Sequence, residues 1–171
     1  MMFRTILMDP PWHERGGGKI KRGADKHYPL LKTKEILPVV FQCEHWKSIA
    51  PNSHLFMWVT NNFLLDGLWL MDALDYRYVT NLVWMKEKIG LGQYFRGQHE
   101  ILLFGTRGKK PTEPRTERKD IPSVIQARKG RHSAKPEESY RIIEQRSRGP
   151  YLELFSRNNR EGWTTWGNEI D

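Results

Sequence analysis

The sequence predicts an α/β protein built on a largely parallel sheet with helices on both faces. Short apolar and aromatic runs recur along the chain, most bounded by polar or Gly/Pro punctuation. Helix-length segments separate several of them, and this alternation calls for right-handed crossovers within one sheet. At 171 residues the chain suits a single domain, able to bury its apolar surface without disulfides or structural metal.

In order, FRTILM (3–8) reads as a short buried strand, and Pro10-Pro11 cannot extend its ladder because proline lacks an N–H donor. Further strands are expected at HLFMWVT (54–60), YVTNLVWMK (78–86), HEILLFGT (99–106), SVIQA (123–127) and YLELFS (151–156), with WTTWG (163–167) as another. Helices are expected from Thr33 to Ile49, interrupted near Pro38, from Asn62 to Leu74 with Asn61 as cap, and from Pro136 to Arg146. The last has Pro136 at its first position, Glu137 and Glu138 in the first turn, Arg146 near the end and Gly149 beyond, all matching the helix dipole. The loop-rich intervals 13–32 and 107–121 are long for such connections and read as substrate-binding loops.

The single cysteine, Cys43, cannot form an internal disulfide and has no companion ligands for zinc, so no metal site is expected. The N-terminal apolar run stops at Asp9, too short for a signal peptide, and no stretch approaches a membrane span, so a soluble cytoplasmic protein without membrane association is expected. The formal charge is +8. It is clustered: Lys19, Lys21, Arg22 and Lys26; then Arg107, Lys109, Lys110, Arg115, Arg118 and Lys119; then Arg128, Lys129 and Arg131. Three basic groups among loop-forming residues point to a polyanion such as nucleic acid, although basic loops also serve solubility. ERGGGKI lacks the spacing of a phosphate-binding P-loop, HER lacks the second histidine of a zinc helix, and no GxGxxG follows a strand.

Asp9-Pro10-Pro11-Trp12 lies just beyond the first strand, at the edge where open α/β sheets bind ligands. An acid, rigid carbonyls and a flat aromatic suit a planar, amine-bearing ligand. This tetrapeptide resembles the signature of the MT-A70 adenine-N6 methyltransferases, and the likeness continues through HYPLLKTKEI (27–36), HLFMWVTNNFLL (54–65), GQYFRGQHEILLFGTRG (92–108), HSAKPEE (132–138), YLELFSR (151–157) and GWTTWGNE (162–169). The resemblance implies a Rossmann-like methyltransferase sheet in permuted motif order, with S-adenosylmethionine as cofactor. It implies a catalytic role for Asp9, Pro10, Pro11 and Trp12; cofactor contacts from Asp9, Lys135, Glu153, Phe155, Arg157, Asn168 and Glu169; and substrate contacts from Trp12, Tyr28 and Tyr94. Lys21, Arg22, Lys109 and Lys110 are the expected phosphate contacts.

Adenine's exocyclic amine is a poor nucleophile because its lone pair is delocalised into the ring. Asp9 and the Pro10 carbonyl can each accept a hydrogen bond from it and orient it for attack. Glu100 is a pocket candidate with no proton-transfer role, and the counterparts of Asn158, Asn159 and Arg160 are left open by a shortened interval before Trp163. The likeness begins at the first strand, so the upstream cofactor-contacting segment of larger relatives is expected to have no counterpart. DNA is the favoured substrate, with an RNA methyltransferase and a noncatalytic nucleic-acid-binding partner of the same fold as alternatives; the sequence fixes no oligomeric state.

Overall fold

Strand β1 (Phe3–Met8) sets the architecture through the two neighbours it acquires. It pairs in parallel with β2 (Ile49–Val59) on one side and β6 (Tyr151–Leu154) on the other. Its near-continuous apolar run follows from cover on both faces: Ile6 and Met8 enter one cluster, Leu7 the other. The computed structural model describes residues 1–13, 32–109, 113–131 and 134–167.

Strands β3 (Arg77–Met85), β4 (His99–Arg107), β5 (Val124–Gln126) and β7 (Trp163–Trp166) complete a seven-stranded sheet ordered β5-β3-β4-β2-β1-β6-β7. Helices α1 (Thr33–Gln42) and α2 (Leu64–Ala73) cover one face, placing Ile36, Val40, Leu70 and Met71 against Ile6, Met8 and Met57. Helix α3 (Glu137–Arg146) covers the other, with Ile143 in the cluster of Leu7, Phe56 and Trp58. The expected helix cover of both faces is therefore present. Among the described residues no helix is long and apolar enough to cross a membrane.

The sheet is mixed rather than uniformly parallel, because β4 runs antiparallel to both β2 and β3. The connection from β3 to β4, residues 86–98, contains no helix to carry a crossover and so returns as a hairpin. This reversal sends the start of β4 to the edge that carries Asp9, and its end to the opposite edge.

The helix limits also differ from the sequence reading. α1 passes through Pro38, which lies on its exposed face, ends at Gln42, and is followed by a 3-10 turn over Glu44–Ser48. Asn61 opens a 3-10 turn rather than capping α2. Pro136 is the extended N-cap of α3 (ψ 143°) rather than its first helical residue.

At the end of β6 the chain turns sharply, with Phe155 in the left-handed region at φ 61°. The turn is held by Ser156 N–H donating to the Trp166 carbonyl at 3.1 Å, and Gly167 lets these backbones meet, since a Cβ there would strike the Ser156 carbonyl oxygen. The blocking atom is backbone and cannot swing aside. Gly167→Ala is therefore expected to destabilise the protein by about 1–3 kcal/mol in denaturant titration, and an unchanged midpoint would show that the turn relaxes freely.

Candidate active site

Parallel β1 and β6 end side by side, with α1 and α3 on opposite faces, and a cleft of this kind at the carboxyl ends is where open sheets bind ligands. A cavity of about 590 Å³ opens there, its wall including Asp9 just after β1, Glu153 of β6 and Phe155 just after it, Lys135 before α3 and Glu137 at its start. That size lies within the usual range for small-molecule sites.

A row of alternating charges crosses this edge. Lys135 Nζ lies 3.6 Å from Asp9 Oδ2 and 3.2 Å from Glu100 Oε1, while Lys86 Nζ lies 3.3 Å from Glu100 Oε2. Tryptophan faces carry both ammoniums: Lys135 is 5.3 Å from the Trp58 ring centre and Lys86 5.0 Å from that of Trp84. Burial pushes the Asp9 carboxyl above its ordinary value; Lys135 pulls it down, Glu100 pushes it up and Arg157 pulls it down, and burial prevails. Burial also pushes Glu100 up, but Lys135 and Lys86 outweigh it and the net shift is downward. Glu100 is thus the fixed anion that holds Lys135 beside Asp9.

On the β6 side, Tyr140 donates to Glu153 Oε1 at 2.7 Å. Burial dominates here too, raising the Glu153 carboxyl to about 7 against the opposing effect of that hydrogen bond. Arg160 seals the far wall: its guanidinium makes paired bonds of 2.7 and 2.6 Å to Glu137 and stands 3.5 Å from the Tyr140 ring centre. The Arg157 side chain also lines the cavity.

Asp9, Lys135, Glu153, Phe155 and Arg157, all expected at the site, are brought together. Trp12 is not the open plate that base stacking requires. It is 5% exposed, donates from its indole N–H to the Trp58 carbonyl at 3.1 Å and stacks on Phe63 at 5.5 Å. A large aromatic removed from water on both faces anchors the turn instead. Trp12 N–H also donates to the Pro10 carbonyl at 2.8 Å, leaving that oxygen its second lone pair.

Tyr94 lies on the β3–β4 hairpin and is absent from the cavity wall. Lys109 follows the end of β4 and lies at the opposite sheet edge from Asp9, so the described part of the 107–121 interval that contains it is not brought to the site. Lys21, Arg22, Tyr28, Lys110, Asn168 and Glu169 fall outside the described residues, as does most of the expected loop 13–32. No role at the site was expected for Lys86, Trp58, Tyr140 or Glu137, and that of Arg160 was left open. The signal for Lys86 and Glu100 was a base and an acid at the facing ends of two strands, readable only once those strands pair antiparallel.

An open Rossmann-like sheet with an acid and a lysine at its ligand-binding edge places the protein among α/β proteins of the methyltransferase type. The MT-A70 family model matches residues 3–169, and the chain belongs to that family. It is 31% identical to the Type II methyltransferase M.MunI of Mycoplasma sp over 98% of this chain and 78% of that protein. It is 27% identical to the N(6)-adenine-specific methyltransferase METTL4 of Homo sapiens over 98% of this chain, spanning 37% of that protein. It is 26% identical to the N6-methyladenosine RNA methyltransferase MTA1 of Cryphonectria parasitica over 99% of this chain, spanning 52% of that protein.

The Glu153 carboxyl gives a pH signature. Raised from 4.5 to about 7, it favours the folded state most fully below the lower value, and that contribution is lost as pH rises through the upper one. Glu153→Gln keeps an acceptor for Tyr140 and removes the ionisation. The variant is expected to melt above wild type at about pH 8, by on the order of 2–3 kcal/mol, with the difference shrinking towards about pH 5. Parallel melting curves across that range would contradict the assignment.

Proposed function

We propose that this protein, acting as a single methyltransferase domain, transfers a methyl group from S-adenosylmethionine to the N6 amine of adenine in nucleic acid, with DNA preferred over RNA. The observation that carries the reading is the placement of Asp9 in the wall of the β1/β6 cavity, next in sequence to a Pro10 carbonyl that takes one backbone hydrogen bond, from Trp12 N–H. The named activities of METTL4 and MTA1 support adenine N6 as the acceptor. The preference for DNA leans on the likeness to the Type II methyltransferase M.MunI, at 31% identity, against 26% for the RNA methyltransferase MTA1.

The donor set fits the cofactor. Lys135 and Arg157 offer cationic groups to its carboxylate, Glu153 an acceptor to its hydroxyls, and Phe155 an apolar face to its base. Asn168 and Glu169 belong to the same proposed set. When bound, S-adenosylmethionine supplies an electrophilic methyl group on a sulfonium. The protein's own task is to orient the amine. Asp9 accepts a hydrogen bond from one N6–H and the Pro10 carbonyl from the other, drawing the nitrogen lone pair out of conjugation and towards the methyl. Lys135 opposes the effect of burial on the Asp9 carboxyl, drawing it towards its charged form, and holds it in place. The nitrogen gains the methyl and becomes cationic, then releases one proton to water, so Asp9 need not be a strong base.

Incubation with labelled cofactor and separate DNA and RNA, followed by nucleoside analysis, tests this directly. Label in N6-methyladenine from DNA is the expected result; label in cytosine, or none with bound cofactor, contradicts it. Asp9→Ala is expected to lower transfer about a hundredfold or more while calorimetry shows cofactor affinity within a few-fold of wild type.

A further inference from the structure

The hairpin between β3 and β4 exposes more apolar surface than folding explains. Tyr94 is 106% exposed, Phe95 85%, Leu91 68% and Ile89 57%. The loop that presents them is hydrogen-bonded throughout: Gly90 N–H to the Gly97 carbonyl at 2.6 Å, Gly97 N–H to Leu91 at 3.0 Å, and Arg96 Nε to Gly90 at 2.6 Å. Tyr94 is held in the left-handed region at φ 59°, a costly conformation for a non-glycine residue. Glycine closes the turn, since a Cβ on Gly92 would strike the Phe95 carbonyl oxygen. A contiguous apolar group displayed in a fixed shape is the mark of a binding surface.

Its position and charge identify the occupant. β3 runs in the same direction as β1, so the hairpin rises from the edge that carries Asp9. Its base is tied to Asp9 through Lys86, Glu100 and Lys135. β5 is parallel to β3 and ends at that edge too, and the loop after it is joined to the hairpin by Arg128 Nε on Glu87 Oε2 at 3.3 Å. Residues 86–98 and 127–131 together hold six cationic side chains, Lys86, Lys88, Arg96, Arg128, Lys129 and Arg131, against one acid, Glu87. An apolar tip ringed by cations complements stacked bases inside a phosphate backbone.

We propose that Leu91, Tyr94 and Phe95 form a wedge that enters a nucleic-acid duplex and fills the stack left by the target adenine. The proposal rests on the adenine-N6 reading and extends it to a double-stranded substrate. In a duplex the N6 amine is base-paired, so the adenine must leave the stack to meet Asp9. Apolar side chains inserted between base steps supply such an opening, and the basic flanks hold the two backbones.

Tyr94→Ser combined with Phe95→Ser alters only exposed side chains, and melting curves verify that the fold is kept. Wild type and variant are compared on one long DNA of mixed sequence, supplied as single strand or as annealed duplex. The variant is expected to lose about tenfold or more of its methyl transfer on duplex and less than about threefold on single strand. Equal loss on both forms, no loss on either, or a wild type active on single strands alone overturns the wedge. Equal loss accompanied by a dimer-to-monomer change in sedimentation assigns the hairpin to self-association instead. A wild type that methylates neither form rejects the adenine chemistry, and the wedge is then judged by 2-aminopurine fluorescence in the duplex. A rise with wild type that the variant lacks supports it; no rise, or the same rise with both, overturns it.

Discussion

The row of charges from Asp9 through Lys135 and Glu100 to Lys86 is the constraint on which the site depends. Its members come from the end of β1, the loop before α3, the start of β4 and the residue after β3, positions far apart in sequence. Charges withdrawn from water stabilise a structure only when each has a partner, so removing Lys135 takes from Asp9 its ion pair in the row, and removing Glu100 does the same to Lys86. Lys135 sits between two carboxylates and over the Trp58 ring, which fixes the ammonium more narrowly than one ion pair could. The consequence for chemistry is that Asp9, which burial alone would neutralise, is held towards its charged form where the amine must be oriented.

The reversed strand makes that row possible. Had β4 been parallel to β2, Glu100 would lie at the far edge and Lys135 would face Asp9 alone. Because β4 is antiparallel, its acidic start returns to the site while its basic end, Arg107, followed by Lys109, moves away. The same reversal brings the apolar hairpin to the edge used by Asp9 and by the basic loop after β5. One choice of strand direction thus sorts the molecule into a site edge and an opposite edge.

Much of this was legible in the sequence, for local reasons. Apolar runs located all seven strands, although β2 begins at Ile49, five residues before the expected start. The acids and arginine that complement a helix dipole marked α3. Asp9 could be placed at a strand's carboxyl end because the prolines after it cannot pair. What the pattern could not carry was direction: a short apolar run looks alike in a parallel or an antiparallel strand. The Lys86–Glu100 pair and the remote position of Lys109 both depend on it. The packing of Trp12 was not legible for a different reason. Its neighbours in sequence suggest a loop, whereas its packing partner Phe63 lies fifty-one residues away. The clasp of Glu137, Tyr140 and Arg160 likewise joins a helix start to a turn beyond the next strand.

The charge that Lys135 imposes on Asp9 is central to the site, and carbon-13 NMR of the Asp9 carboxyl carbon during a pH titration reads it directly. In the wild-type protein the midpoint should lie above the ordinary aspartate value of 3.8. In Lys135→Met, which keeps the bulk and removes the cation, it should climb further, since the group that opposes burial has gone. A wild-type midpoint at the ordinary value that is unmoved by Lys135→Met would contradict the account.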